Sequence, residues 1–201
     1  MTSMPRPRPE ARRELASGEK AGALSLITEV VRTERLLLRP HRPEDVDAVF
    51  RACQDPLIQR WIGAIPRPYT PQDARTYVEQ IAPKERAEGR GLPVIMEADG
   101  ELVGAGGAHL VPGRLGPEIG YWIAPWARRR GYAAEAADAL AEWALDRGAP
   151  RVHLYADVGN EASQAVARRA GFTQEGVVRS CLEYQDGTRG DAVLFGRLAA
   201  D

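Results

Sequence analysis

Residues Glu118 to Trp143, EIGYWIAPWARRRGYAAEAADALAEW, constrain the fold more than any other stretch of this chain. Ile, Tyr and Trp side chains suit a pleated strand over Glu118–Ala124, and Pro125, with no N–H to give a ladder, ends it. A helix follows. Ala133, Ala136, Ala137, Leu140, Ala141 and Ala144 recur at helical spacing on one face, while Glu135, Asp138, Glu142 and Asp146 take the other. Between strand and helix lies Arg128-Arg129-Arg130-Gly131-Tyr132-Ala133. The first turn of a helix leaves backbone N–H groups unpaired, the helix dipole adds partial positive charge, and Gly131 has no side chain to hold a ligand off the backbone. The three arginines ahead of that turn match phosphate oxygens in bidentate fashion, so a diphosphate is the natural guest. An ordinary strand–turn–helix junction with its arginines in water satisfies the same pattern.

At 201 residues and 44% apolar, the chain is long enough for one packed domain, and a net charge of −1 gives no overall field for nucleic acid or an acidic membrane. No apolar run reaches membrane-spanning length, and the start lacks the apolar core of a secretion signal. Cys53 and Cys181 have no metal-ligand spacing and read as small buried hydrophobes in a reducing cytoplasm. His41 and His153 have no partners at ligand spacing either, so no metal site is expected, and His109 is a structural histidine or a base. Residues 1–24 carry prolines, scattered arginines and glutamates and almost no bulky apolar side chain, and are expected to form a disordered tail ahead of a domain over 25–201. Arg6, Arg8, Arg12 and Arg13 offer the one route to RNA or the ribosome, diluted by three glutamates.

The remaining elements follow from local signals. Arg35–Arg39 reads as a strand stopped by Pro40, and Pro43 opens a helix with Val46, Val49 and Phe50 on its apolar stripe. Asp55-Pro56 breaks it, and residues 57–68 read as irregular. Thr70 caps a helix that runs from Pro71 to about Arg86. Strands over 92–97 and 102–110 meet at Asp99-Gly100, and the Gly104–Gly107 run within the second signals close packing or a bulge. Arg151–Val158 is a strand whose crossover from the central helix implies parallel pairing. Asn160 caps a short helix to Ala170, and strands over 173–182 and 192–198 flank a turn at Gln185-Asp186-Gly187.

Arg128-x-x-Gly131-x-Ala133 resembles the Q/R-x-x-G-x-G/A motif of the GNAT superfamily of N-acetyltransferases, and Asn160-Glu161-Ala162-Ser163 ahead of Gly171-Phe172 resembles its second cofactor motif. The resemblance covers about residues 30–198 and is strongest to the branch that acetylates the N-termini of ribosomal proteins, the RimJ/RimL-like enzymes. It implies an α/β fold of GNAT type: a mixed, largely antiparallel sheet with a splayed parallel pair at its centre, flanked by helices. It implies acetyl-CoA as cosubstrate and no metal. Arg128, Arg129, Arg130, Gly131, Tyr132 and Ala133 would cradle the pyrophosphate, with Asn160 and Ser163 at the pantetheine arm and backbone N–H groups near Trp122 or Ile123 at the thioester carbonyl. Trp61, Ile62, Tyr69 and Tyr77 would wall the acceptor pocket, although core packing against the sheet accounts for each of them as well.

Acetyl transfer needs a neutral amine. An α-amino group titrates near ~7.8 and a lysine near ~10.4, so deprotonation at pH 7 takes about 1 against about 4.6 kcal/mol, and an enzyme for α-amines needs only a modest base. Two glutamates compete for that role: Glu183, in a Glu-Tyr-x-x-Gly context like that of the ribosomal-protein branch, is placed ahead of Glu118 at the head of the central strand. The tyrosine acid that many relatives carry seven residues after the motif asparagine is here Ala167, and the branch's serine falls on Ser163. The expected function is transfer of an acetyl group to an amine, with the α-amine of a ribosomal protein first. A small-molecule amine or a non-catalytic CoA sensor stands as the alternative. A homodimer is compatible with the sequence, and a membrane partner is not expected.

Overall fold

The computed structural model describes residues 26–110 and 115–200; the expected tail over 1–24 lies outside the described residues. Eight strands form one sheet in the order β1-β2-β3-β4-β5-β6-β8-β7: β1 (Val31–Arg32), β2 (Leu37–Arg39), β3 (Gly91–Ala98), β4 (Glu101–His109), β5 (Glu118–Ile123), β6 (Arg151–Asp157), β7 (Thr173–Glu183) and β8 (Arg189–Leu198). Every pairing is antiparallel except β5 with β6. The helices are α1 (Val46–Cys53), α2 (Pro56–Trp61), α3 (Pro71–Thr76), α4 (Ala82–Ala87), α5 (Tyr132–Asp146) and α6 (Glu161–Arg169).

The central helix forms as its periodicity predicts. Tyr132, Ala134, Ala136, Ala137, Leu140, Ala141, Trp143 and Ala144 are buried, and small alanines let α5 lie close on the sheet. The glycine run of β4 also has a close-approach reason. A Cβ on Gly104 would stand 2.4 Å from the Trp122 carbonyl oxygen, and one on Gly106 2.4 Å from that of Gly120. β4 therefore meets β5 without a bulge, through continuous register from Gly104↔Ile123 to His109↔Glu118.

Three local readings need correction. Asp55-Pro56 does end the first helix, which closes at Cys53, but residues 57–68 are not irregular throughout: the Asp55 carboxylate accepts from the N–H groups of Leu57 and Ile58, both at 3.0 Å, and Pro56 takes the first helical position, so α2 begins there. The helix from Pro71 is interrupted by a π-helical turn over Tyr77–Ile81, where the Ala82 N–H reaches back to the Tyr77 carbonyl. Pro83 follows at once and has no N–H to continue an α-helical ladder. Finally, the first strand is shorter than expected and pairs with an additional two-residue strand, β1.

The parallel pair opens almost as soon as it forms. Its register is limited to Glu118↔His153, beside a bond from the His153 N–H to the Pro117 carbonyl at 2.9 Å. Beyond that point β5 stays with β4 and β6 stays with β8, and a gap widens through the middle of the sheet.

Candidate active site

That gap opens into a cleft of about 700 Å³ that reaches both faces of the sheet. Alternation along β5 divides its side chains between the faces. The Tyr121 hydroxyl lies 3.0 Å from the Ser163 hydroxyl on α6. Glu118 and Trp122 point the other way, toward the face carrying α4: a Cβ on Gly91, in register with His109 and through it with Glu118, would lie 3.7 Å from the Glu85 carboxylate.

The backbone phase of β5 follows from the Ala124 N–H bond to the Val103 carbonyl at 2.9 Å. In an antiparallel pair such bonds alternate, so the polar groups of Trp122 are turned to β4 while those of Tyr121 and Ile123 face the gap. Of the two residues expected at the carbonyl, Ile123 offers its N–H there, and Trp122 contributes its side chain to the cleft wall.

At the wide end the chain turns through Arg129 at φ 62° and Gly131 at φ 85° into α5. Gly131 is the N-cap residue and gives no side-chain cap, so the first N–H groups of α5 carry none of the usual side-chain cover. This suits a diphosphate seat. The arginines behave differently from one another. Arg128 forms a bidentate pair with Asp55, at 2.5 and 3.2 Å, and so ties the turn to the start of α2. Arg129 and Arg130 have no such tie, while the Arg130 carbonyl accepts from Arg35 at 2.9 Å.

Arg35 was invisible as a site residue in the sequence. Its guanidinium lies 5.1 Å from the Tyr132 ring centre and donates to Glu135 in the first turn of α5, which Thr33 also holds at 2.5 Å. Desolvation opposes the charge on Glu135, but these bonds hold its carboxyl below the usual range. A carboxylate at a helix N-terminus is stabilising there, and this one also fixes the turn against β1 and β2.

On the α6 side, the Asn160 side chain caps the helix by accepting from the Ser163 N–H at 3.1 Å. Ser163 is thereby oriented toward Tyr121, whose hydroxyl burial pushes up to about 12 against a smaller lowering by Ser163. Tyr121 thus keeps its proton at neutral pH. It places a hydroxyl beside Ser163 from a different element than the one that carries Ala167.

The structure brings both glutamates to the cleft wall but in unlike settings. The Glu183 side chain is 73% exposed, with Arg189 3.9 Å away. The Glu118 side chain is 41% exposed and stands 3.9 Å from the buried His153 ring, where the gap begins. Trp61, Ile62, Tyr69 and Tyr77 all line the same cleft. Tyr69 is at the same time part of the buried core, which joins the two readings of it.

Comparison with known proteins agrees with this geometry. Residues 35–173 match the acetyltransferase (GNAT) domain. YdaF of Bacillus subtilis, whose name assigns it provisionally to ribosomal N-acetylation, is 36% identical over 133 residues, 64% of this chain and 72% of that one. RimJ of Mycobacterium smegmatis, solved with CoA-disulfide, superposes with a TM-score of 0.75 at 25% identity over 86% of this chain and 88% of its own. RimL, the ribosomal L7/L12 α-N-protein acetyltransferase solved with coenzyme A, gives 0.74 at 25% identity over 86% of this chain and all of its own. No helix among the described residues is long and apolar enough to cross a membrane.

Proposed function

Because this chain belongs to the GNAT acetyltransferase family, we propose that it carries the acetyl group of acetyl-CoA to the α-amine of a protein N-terminus, a ribosomal protein among the acceptors. The observation that carries the reading is the division of the cleft by β5, with Glu118 on one face of the sheet and the Tyr121–Ser163 pair on the other.

Glu118 is the base. It takes a proton from the amine as nitrogen attacks, directly or through one water, and the modest acidity of an α-ammonium makes a carboxylate sufficient. Glu183, favoured by its sequence context, stands mostly in solvent beside Arg189, away from where the gap begins, and serves at the acceptor mouth. The Ile123 N–H faces the position at which negative charge develops on the carbonyl oxygen. A carbon–nitrogen bond forms, the carbon–sulfur bond breaks, and its electron pair leaves on sulfur.

Tyr121 and Ser163 meet that sulfur as hydrogen-bond donors. Handing over the Tyr121 proton outright to a thiolate of ordinary pKa, near ~8.5, would take about 5 kcal/mol, so the phenol stabilises the thiolate and keeps its proton. Solvent then protonates the departing thiolate. Gly131, the turn before it and Asn160 hold the cosubstrate.

Thiol release from acetyl-CoA against a panel of N-terminal peptides tests the reading. Glu118→Gln should lower kcat by about 10²–10³-fold with little change in acetyl-CoA binding. Gly131→Glu should abolish acetyl-CoA binding in a calorimetric titration. Wild-type binding without transfer to any amine would sink the catalytic reading in favour of a CoA sensor.

A further inference from the structure

The acceptor side of the cleft is one-sided in charge. Asp73, Glu85, Glu118, Asp157 and Glu183 line it, and no lysine or arginine does among the described residues. Two of these carboxylates already have work within the protein: Asp157 accepts from the Tyr184 hydroxyl and the Gly159 N–H, and Asp73 accepts from the Thr70 N–H at 2.8 Å. Glu85 does not. Its Oε2 is closed off from bulk water and has no hydrogen-bond partner, and the same holds for both ring nitrogens of His41.

These two unpartnered groups share a neighbour. The His41 ring stands edge-on to Tyr77 at 5.4 Å, and Tyr77, whose hydroxyl burial pushes up to about 12, also feels the charge of Glu85. Burial holds His41 down to about 4, so at neutral pH its ring is uncharged and has a lone pair to offer a donor. No nearby cation pairs with either group. Arg39 is bound to Asp45 and Glu97, and Arg86 donates from Nε and Nη1 to the carbonyls of Pro93, Leu26 and Glu29, while its Nη2 is also buried without a partner. A buried carboxylate oxygen and a buried imidazole left unpaired are costly in an empty cleft, and a cation that enters relieves both.

The sheet sets the spacing. Gly91, His109 and Glu118 are in register on three successive strands, and Glu85 stands over Gly91. Two strand spacings put the Glu85 carboxylate roughly 10 Å from Glu118. We propose that Glu85, His41 and Tyr77 form a second-cation subsite, so that the acceptor is a primary amine carrying another ammonium or guanidinium group roughly 10 Å from the reacting nitrogen. This rests on Glu118 being the place where the amine reacts. Two sources supply the chemistry: a peptide N-terminus with lysine or arginine next to it, and a free polyamine.

The test pairs binding with turnover on the full chain in the presence of CoA or acetyl-CoA. The acceptors are spermidine, butylamine, and two tetrapeptides that differ only in having lysine or alanine at the second position. The lysyl peptide or spermidine should bind roughly ten-fold more tightly than its counterpart without the second cation and show a lower KM. Glu85→Gln and, separately, His41→Phe should remove most of that advantage. A greater preference for spermidine over butylamine assigns the subsite to polyamines, and a greater preference for lysyl over alanyl peptide assigns it to basic N-termini.

Equal binding of acceptors with and without the second cation, or equal losses on both in the variants, would overturn the subsite. Transfer without charge preference would leave the catalytic reading standing and remove this one. Charge-dependent binding without transfer to any acceptor would sink both, because the subsite is defined from the reacting nitrogen.

Discussion

Tyr121 shows how much turns on one hydroxyl. It lies on β5, forty-two residues from Ser163, yet the two oxygens are 3.0 Å apart. Tyr121→Phe should lower kcat by about ten- to a hundred-fold while leaving KM for acetyl-CoA near its wild-type value, measured by steady-state thiol release. A change in KM alone would mean that the phenol only shapes the wall. The capping bond from the Ser163 N–H to Asn160 was legible in the sequence because both residues lie within one motif. Tyr121 was not, since nothing in a linear pattern tells which strand residue will face a helix from another part of the chain. The same holds for Arg35 and Glu135, a hundred positions apart and joined at the first turn of α5. The tie between Arg128 and Asp55 was equally out of reach, because Asp55 comes from the start of α2.

Among the elements, β5, the arginine turn and α5 were legible almost to the residue, because strand propensity, a proline stop and helical spacing agree there. α2 was not. Asp-Pro closes α1 as its sequence suggests, but that it also caps a further helix is seen only in the bonds from Leu57 and Ile58 to Asp55. The glycines of β4 carry a sharper consequence. Gly106→Ala would press a methyl group onto the Gly120 carbonyl at 2.4 Å and to within 3.0 Å of the Tyr121 Cα, both backbone atoms of β5 that yield little, with the Met96 methyl at 2.9 Å. Gly176 on β7 has nothing within 4 Å of the same position. Urea unfolding should therefore show a loss above about 2 kcal/mol for Gly106→Ala and a change within about 1 kcal/mol for Gly176→Ala. Comparable losses at both sites would show that strand glycines matter here for backbone freedom and not for close approach.

At the scale of the molecule, the fold was legible and the charge of the cleft was not. Its carboxylates come from α3, α4, β5, β6 and β7, so no stretch of sequence is notably acidic. The buried His41 gives the whole fold a pH signature. Unfolded, it titrates near ~6.5; folded, burial holds it at about 4. Between those values the unfolded chain binds a proton that the folded chain does not. The stability from keeping His41 neutral is therefore complete above ~6.5 and falls as pH drops toward 4. Asp45 acts lower. Burial opposes its charge, but Arg39 and the Arg42 N–H hold its carboxyl below the usual range, so its contribution is lost only below ~3.9. Wild type should lose up to about 3 kcal/mol more than His41→Phe between pH 7 and 4.5, read from unfolding curves at each pH. Parallel pH profiles would show that His41 reaches water freely.

A sheet whose fifth and sixth strands separate after Glu118 and His153 is incomplete along its own midline. A small molecule seated in that gap, such as the cosubstrate proposed above, would stand in for a strand. By mass action the folded state is then favoured in proportion to how well the gap is filled. Amide protons of Tyr121 and Ile123 should exchange slowly when acyl-CoA is abundant and quickly when it is scarce. Proteolytic turnover would follow the same supply, so that the amount of enzyme in a cell keeps pace with the acyl groups it has to spend.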